Sequence, residues 1–161
     1  MTDEASPTSV PARTAPPEIT TFGELRASGY RSVPVAAELR RNAAARIAAG
    51  EPLVRGVLGF DDTVLPQLEN AVLAGHDVIL LGERGQAKTR IVRSLVSLLD
   101  EWLPVVAGSE IHDDPFQPVS RFARDAVAQH GDATPVTWVH RDDRFGEKLA
   151  TPDTSSGYLI G

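Results

Sequence analysis

Apolar residues recur at helical spacing in three stretches of the 161-residue chain. The first runs from about Val35 to Ala49, with Pro34 at its start and Gly50 at its stop, the positions where proline opens and glycine closes a helix. The second runs from about Thr63 to Ala74. There Thr63 is placed to cap, Pro66 falls in the tolerant first turn, Gly75 ends the helix, and Leu65, Leu68 and Val72 make its buried side. The third begins at Lys88. Ile91, Leu95 and Leu98, with Val92, Val96 and Leu99 beside them, oppose Arg90, Arg93, Ser97 and Glu101. Short apolar runs at Val78–Leu81, Leu103–Ala107 and Val136–His140 predict strands. This order predicts an α/β fold, a three-layer core with a parallel sheet, preceded by an N-terminal helical segment over residues 21–55.

Composition adds limits. From Met1 to about Thr20 the residues are mainly Pro, Ser, Thr, Ala and acids without an apolar repeat, which predicts a disordered leader over 1–20. That stretch has no basic region followed by an apolar core, and no uninterrupted apolar run approaches membrane-spanning length. A cytoplasmic protein without a membrane partner is expected. The absence of cysteine excludes disulfides, thiol catalysis and cysteine-ligated zinc, and a net charge of −6 argues against a general nucleic-acid surface.

The candidate chemistry lies where the first predicted strand meets the third helix, in the run Leu80-Leu81-Gly82-Glu83-Arg84-Gly85-Gln86-Ala87-Lys88-Thr89-Arg90. A phosphate-binding loop needs a glycine-containing turn whose N–H groups face phosphate oxygens, a lysine for the terminal phosphates and a hydroxyl for magnesium. Gly82, Lys88 and Thr89 stand at the required spacing. Ala87 replaces the usual glycine before the lysine, a change the turn accepts if that residue has helical φ/ψ, and Gly85 provides a second flexible point. A glycine-rich bend with no ligand is the alternative. The surrounding strand, turn and amphipathic helix favour binding of a nucleoside triphosphate.

Other polar groups carry less. Arg40, Arg41 and Arg46 form a solvated face, or alternatively meet an acidic partner or phosphate. His112, Asp113, Asp114, His130 and His140 match no metal-site spacing, and Asp113-Asp114-Pro115 reads as a turn. Trp102 and Trp138 read as core or interface aromatics. Asp142 and Asp143, after the apolar run Val136–Val139, are the only internal candidates for a magnesium-site acid pair, against a solvated charged turn.

These residues carry a resemblance. The order Arg55-Gly56-Val57-Leu58-Gly59-Phe60-Asp61-Asp62, then Leu73-Ala74-Gly75-His76-Asp77, then the loop ending Gln86-Ala87-Lys88-Thr89-Arg90, resembles the AAA+ ATPase subunit of magnesium chelatase and its bacterial relatives. The similarity continues through Ser94 to Trp102, Gly108 to Pro115, and His140 to Thr154. It implies a partial AAA+ P-loop NTPase domain over residues 56–161, incomplete at its C-terminus, with ATP and Mg²⁺ as cofactors. It also implies a homo-oligomeric ring, or association with a full-length AAA+ homologue, that remodels a client protein. Lys88 would hold the β- and γ-phosphates, Thr89 would ligate magnesium, the amides from Gly85 to Arg90 would surround the phosphates beside Gly82, Glu83 and Arg84, and Val57 and Gly59 would border the base. The family's acidic pair, polar sensor and neighbouring-subunit arginine fall after Gly161, so the resemblance leaves two readings: a hydrolysing ATPase part, or a truncated, non-hydrolysing nucleotide-binding or regulatory fragment. A small P-loop kinase is a third reading, without an evident acceptor-binding lid. An incomplete sheet would leave an unpaired edge and promote self-association.

Overall fold

The computed structural model describes residues 13–55, 57, 59–60, 62–83 and 87–147. Five α-helices and two strands follow one another as α1 (Phe22–Ala27), α2 (Val35–Ala48), α3 (Val64–Ala74), α4 (Lys88–Leu95), β1 (Trp102–Val106), α5 (Arg121–His130) and β2 (Val136–His140). Short 3-10 turns follow α4 at Val96–Leu98, α5 at Gly131–Ala133 and β2 at Arg141–Arg144.

The helix ends obey local chemistry. Thr21 and Glu24 form a reciprocal capping box on α1, and the Ser120 hydroxyl accepts from the Ala123 N–H to start α5. Gly75 closes α3 in the left-handed conformation, φ 71°. Thr63 precedes α3 as expected but makes no side-chain cap. Helices α2, α3 and α4 enclose a core of Ala43, Leu53, Val54, Val57, Leu68, Val72, Ile91 and Leu98.

The parallel three-layer sheet expected from the sequence is not formed. β1 and β2 pair with each other antiparallel, Trp102 opposite His140 and Val106 opposite Val136, and make up the sheet among the described residues. The third expected strand, Val78–Leu81, runs without sheet pairing there, with Ile79 83% and Leu81 89% exposed. An apolar run of this kind is the signature of a central strand covered on both faces. It becomes one only with a strand on each side to satisfy its N–H and C=O groups, and β1 and β2 satisfy each other instead.

The segment just before α1 joins this sheet. Thr21 bridges Pro135, the Val136 N–H donates to the Thr20 carbonyl at 2.8 Å, and the Trp138 indole N–H donates to the Ile19 carbonyl at 2.9 Å. Further out, Thr14 donates from its N–H and its hydroxyl to the Glu101 carboxylate, both at 2.7 Å. Of the expected leader, residues 13–20 are thus held against β1 and β2, and residues 1–12 lie outside the described residues.

A buried ion pair connects the helical core to the sheet. Glu38 on α2 accepts two hydrogen bonds from the Arg144 guanidinium, at 2.8 and 2.7 Å, and a third from the Asp100 N–H at 2.7 Å. Beside it Arg41 forks onto Asp100, and Arg46 donates to the Ser97 hydroxyl and carbonyl. Two of the three arginines offered as a solvated face or partner contact therefore bind the chain itself.

A second buried carboxylate organises the loop after β1. Asp113 accepts from the hydroxyls of Ser109 and Ser120 and from the N–H groups of Val119 and Ser120. Burial pushes its carboxyl upward, but the Ser120, Ser109 and Val119 hydrogen bonds prevail and hold it well below the usual carboxylate range. This is the turn expected at Asp113–Pro115, built around the acid.

Two predictions follow from these carboxylates. Arg144→Met leaves the Glu38 charge buried and unpaired, and is expected to lower unfolding free energy by about 3–5 kcal/mol. Adding Glu38→Gln removes that charge while keeping an acceptor for the Asp100 N–H, so urea melts of the double variant should recover part of the loss. For Asp113, a depressed folded pKa gives stability that is fully present above the unfolded value of about 3.9 and is lost as pH falls below it. Thermal melts from pH 7 to pH 2 should show Asp113→Asn less stable at neutral pH by about 2 kcal/mol or more. They should also show a flatter acid limb than the native chain.

Candidate functional site

Residues 77–83 form a largely exposed extended segment, and α4 starts at Lys88. Gly82, with φ 151°, has a conformation that favours glycine. Ala87 is left-handed, φ 54° and ψ 9°, and serves as the residue from which α4 starts. The right-handed helical geometry under which alanine is neutral is therefore not the one it adopts, and the left-handed region costs a non-glycine residue about 1–2 kcal/mol. The Ile91 N–H bonds back to the Ala87 carbonyl at 2.9 Å, closing the first turn. Among the described residues no side chain caps this helix, so its first amides and the positive end of its dipole are left without a side-chain partner there.

Lys88 occupies the first position of α4 and folds its ammonium group back over the loop, donating to the carbonyls of Gly82 at 2.7 Å and Glu83 at 2.5 Å. Thr89 and Arg90 follow with exposed side chains. Gly82, Glu83, Ala87, Lys88, Thr89 and Arg90 are thus gathered at one end of α4. Arg84, Gly85 and Gln86 lie outside the described residues.

Lys88 and Thr89 also line one side of a groove of about 710 Å³. Its apolar wall comes from Val35, Ala36 and Leu39 of α2, Leu68 and Val72 of α3, and Val92 and Leu95 of α4. Val78 and Leu80 face it from the extended segment, while their neighbours Ile79 and Leu81 face outward. Phe145 and Glu147 border it after the last 3-10 turn, where Glu147 is paired with Arg93 of α4 at 2.7 Å.

The other sequence candidates lie elsewhere. Val57 is buried with Leu53 and Val54 in the core, and Gly59, φ 83°, lies in the following loop; neither borders the groove. Asp142 and Asp143 are half exposed on the turn after β2, beside Arg13 at 3.5 and 3.7 Å, and do not line the groove with Lys88 and Thr89. His140 is buried at the end of β2, its Nδ1 accepting from the Asp142 N–H at 3.3 Å and its ring edge-on to Trp102 at 5.1 Å. Among the described residues no three histidine or acidic side chains are grouped to hold a metal ion, and no helix is long and apolar enough to cross a membrane.

The groove was not legible beforehand. Its wall is the face of α2 around Val35, Ala36 and Leu39, and Phe145 follows a charged turn; the single sequence signal was the apolar character of Val35 and Leu39 on a helix otherwise rich in alanine and arginine. Searches against protein-family models, curated proteins and solved structures give no match to this chain.

The left-handed Ala87 makes a direct prediction. Ala87→Gly relieves the strain at some cost in chain entropy, and is expected to raise unfolding free energy by about 0.5–1 kcal/mol in urea melts. Ala87→Val, with a branched side chain at the same φ, should lower it.

Proposed function

We propose that residues 82–90 bind the phosphates of ATP with Mg²⁺, and that the chain is a nucleotide-binding unit of the kind its resemblance to chelatase-type AAA+ ATPases suggests. The observation that carries this reading is the meeting of a lysine, a hydroxyl and an uncapped helix start at one turn. Lys88 stands at the first position of α4, Thr89 at the second, and among the described residues no side chain caps the helix. Such a set fits an anion: the amides and helix dipole favour negative charge, and the ammonium group neutralises it. In this reading a phosphate oxygen replaces the Gly82 and Glu83 carbonyls as the partner of Lys88, and the Thr89 hydroxyl is the ligand for magnesium. Magnesium held there would offset the charge of the phosphates.

Coupling of nucleotide to the remodelling of a partner, in a ring of like subunits, is the wider activity the resemblance suggests. A specific observation favours the non-hydrolysing form of the reading. Among the described residues the acids on the groove are Asp77 and Glu147, of which Glu147 is paired with Arg93, and the Asp142–Asp143 pair sits beside Arg13. None of these is a free pair of acids beside Thr89 of the sort that holds magnesium and orients water in phosphoryl transfer. A nucleotide-binding or regulatory unit that acts through a full-length homologue is consistent with that arrangement.

Calorimetric titration with Mg·ATP tests the assignment. Lys88→Ala is expected to weaken binding roughly tenfold or more, as loss of a charge-assisted contact does, and equal affinities would remove Lys88 from the site. Phosphate release by the native chain alone should stay at background; robust turnover would overturn the non-hydrolysing form.

A further inference from the structure

Resting on the phosphate assignment above, we infer that the groove between α2, α3 and α4 holds the base and sugar of the nucleotide, placing the base against Ala36, Val92 and Phe145 and away from Val57 and Gly59. The groove and the proposed phosphate-binding residues 82–90 share Lys88 and Thr89, so a molecule anchored by its phosphates at the start of α4 enters the groove with its other end. The chemistry divides along the same line. At the loop end are an ammonium group and the positive end of a helix; along α2, α3 and α4 the wall is aliphatic, and Phe145 adds a phenyl ring. An occupant with a multiply anionic tail and a flat, weakly polar head is complementary to both ends at once.

Size and exposure agree with this occupant. About 710 Å³ is within the range of small-ligand sites, large enough for a nucleoside with its phosphates. Val35 is 54% exposed, Val78 40% and Val92 39%, all on the groove, so its floor and rim offer apolar surface to a ligand. The ion pair of Arg93 with Glu147 sets the segment that carries Phe145 against α4, which keeps the ring at the rim. Val57, 7% exposed and packed in the core with Leu53, Val54 and Leu68, does not line this groove, and neither does Gly59.

The test separates base from phosphate by titrating the full chain with Mg·ATP and with magnesium and inorganic tripolyphosphate, which has the tail and no head. The native chain is expected to bind ATP roughly tenfold or more tightly than tripolyphosphate, the scale of one base docked on apolar and aromatic side chains. Ala36→Trp, which fills the groove from an exposed position, and Val92→Asn, which makes its wall polar without adding charge beside Lys88, should each reduce ATP affinity toward that of tripolyphosphate. Neither should change tripolyphosphate binding by more than about twofold, whereas Lys88→Ala should weaken both ligands. Equal native affinities for the two ligands, or ATP binding untouched by both groove variants, would overturn the groove assignment while leaving the phosphate site standing. Binding of neither ligand by the native chain would remove both.

Discussion

Glu38 sits on a helix that its neighbours would mark as a surface helix, yet its carboxylate is almost fully buried and every contact it makes crosses to another part of the fold. Two of those contacts come from Arg144, beyond β2, and one from the backbone at Asp100, at the approach to β1. A pair of charges taken out of water is a poor source of net stability but a real constraint, since separating the two would leave each charge buried and uncompensated. It connects the helical core to the sheet, with Arg41, Asn42 and Arg46 adding bonds to Asp100, Leu98 and Ser97 around it.

The groove is a consequence of that constraint. Its walls are α2, α3 and α4, whose mutual packing is the apolar core, and its rim is completed by Phe145, the residue that follows Arg144. Fixing Arg144 on Glu38 therefore brings Phe145 to the mouth of the groove, and the Arg93–Glu147 pair holds the chain there two residues later. The start of α4 contributes positive charge where the helix faces contribute shape. A site with one apolar and one cationic end arises because the helix that lines the groove is the same helix whose start forms the turn.

Much of the local structure was legible. The proline before Val35 and the glycines after Ala49 and Ala74 delimit α2 and α3 to within a residue, and the helix after Ala87 begins where the lysine stands. β2 has the expected limits, and β1 is displaced by one residue. Direction and partner were not legible: an apolar run says that a strand can be buried, not which strand lies beside it. For the candidate site, the sequence brought Lys88 and Thr89 to notice through their spacing, while the groove beside them depends on faces of helices distant in sequence. α5 was also missed, because its signal, a serine cap before Arg121 and a sparse apolar face, is weak without the sheet it accompanies.

What the sequence determined by itself are the features that depend on neighbours a few residues apart. These are helix starts and stops set by Pro34, Gly50 and Gly75, the extended character of residues 103–106 and 136–140, and the glycine, lysine and hydroxyl spacing at the loop. The tertiary structure alone decided that the two strands pair antiparallel, that Val78–Leu81 stays outside their sheet, that Glu38 is buried, and that Ala87 is left-handed. Each of these is settled by which distant groups satisfy a backbone amide or a charge once water is removed, and that competition has no trace in local periodicity.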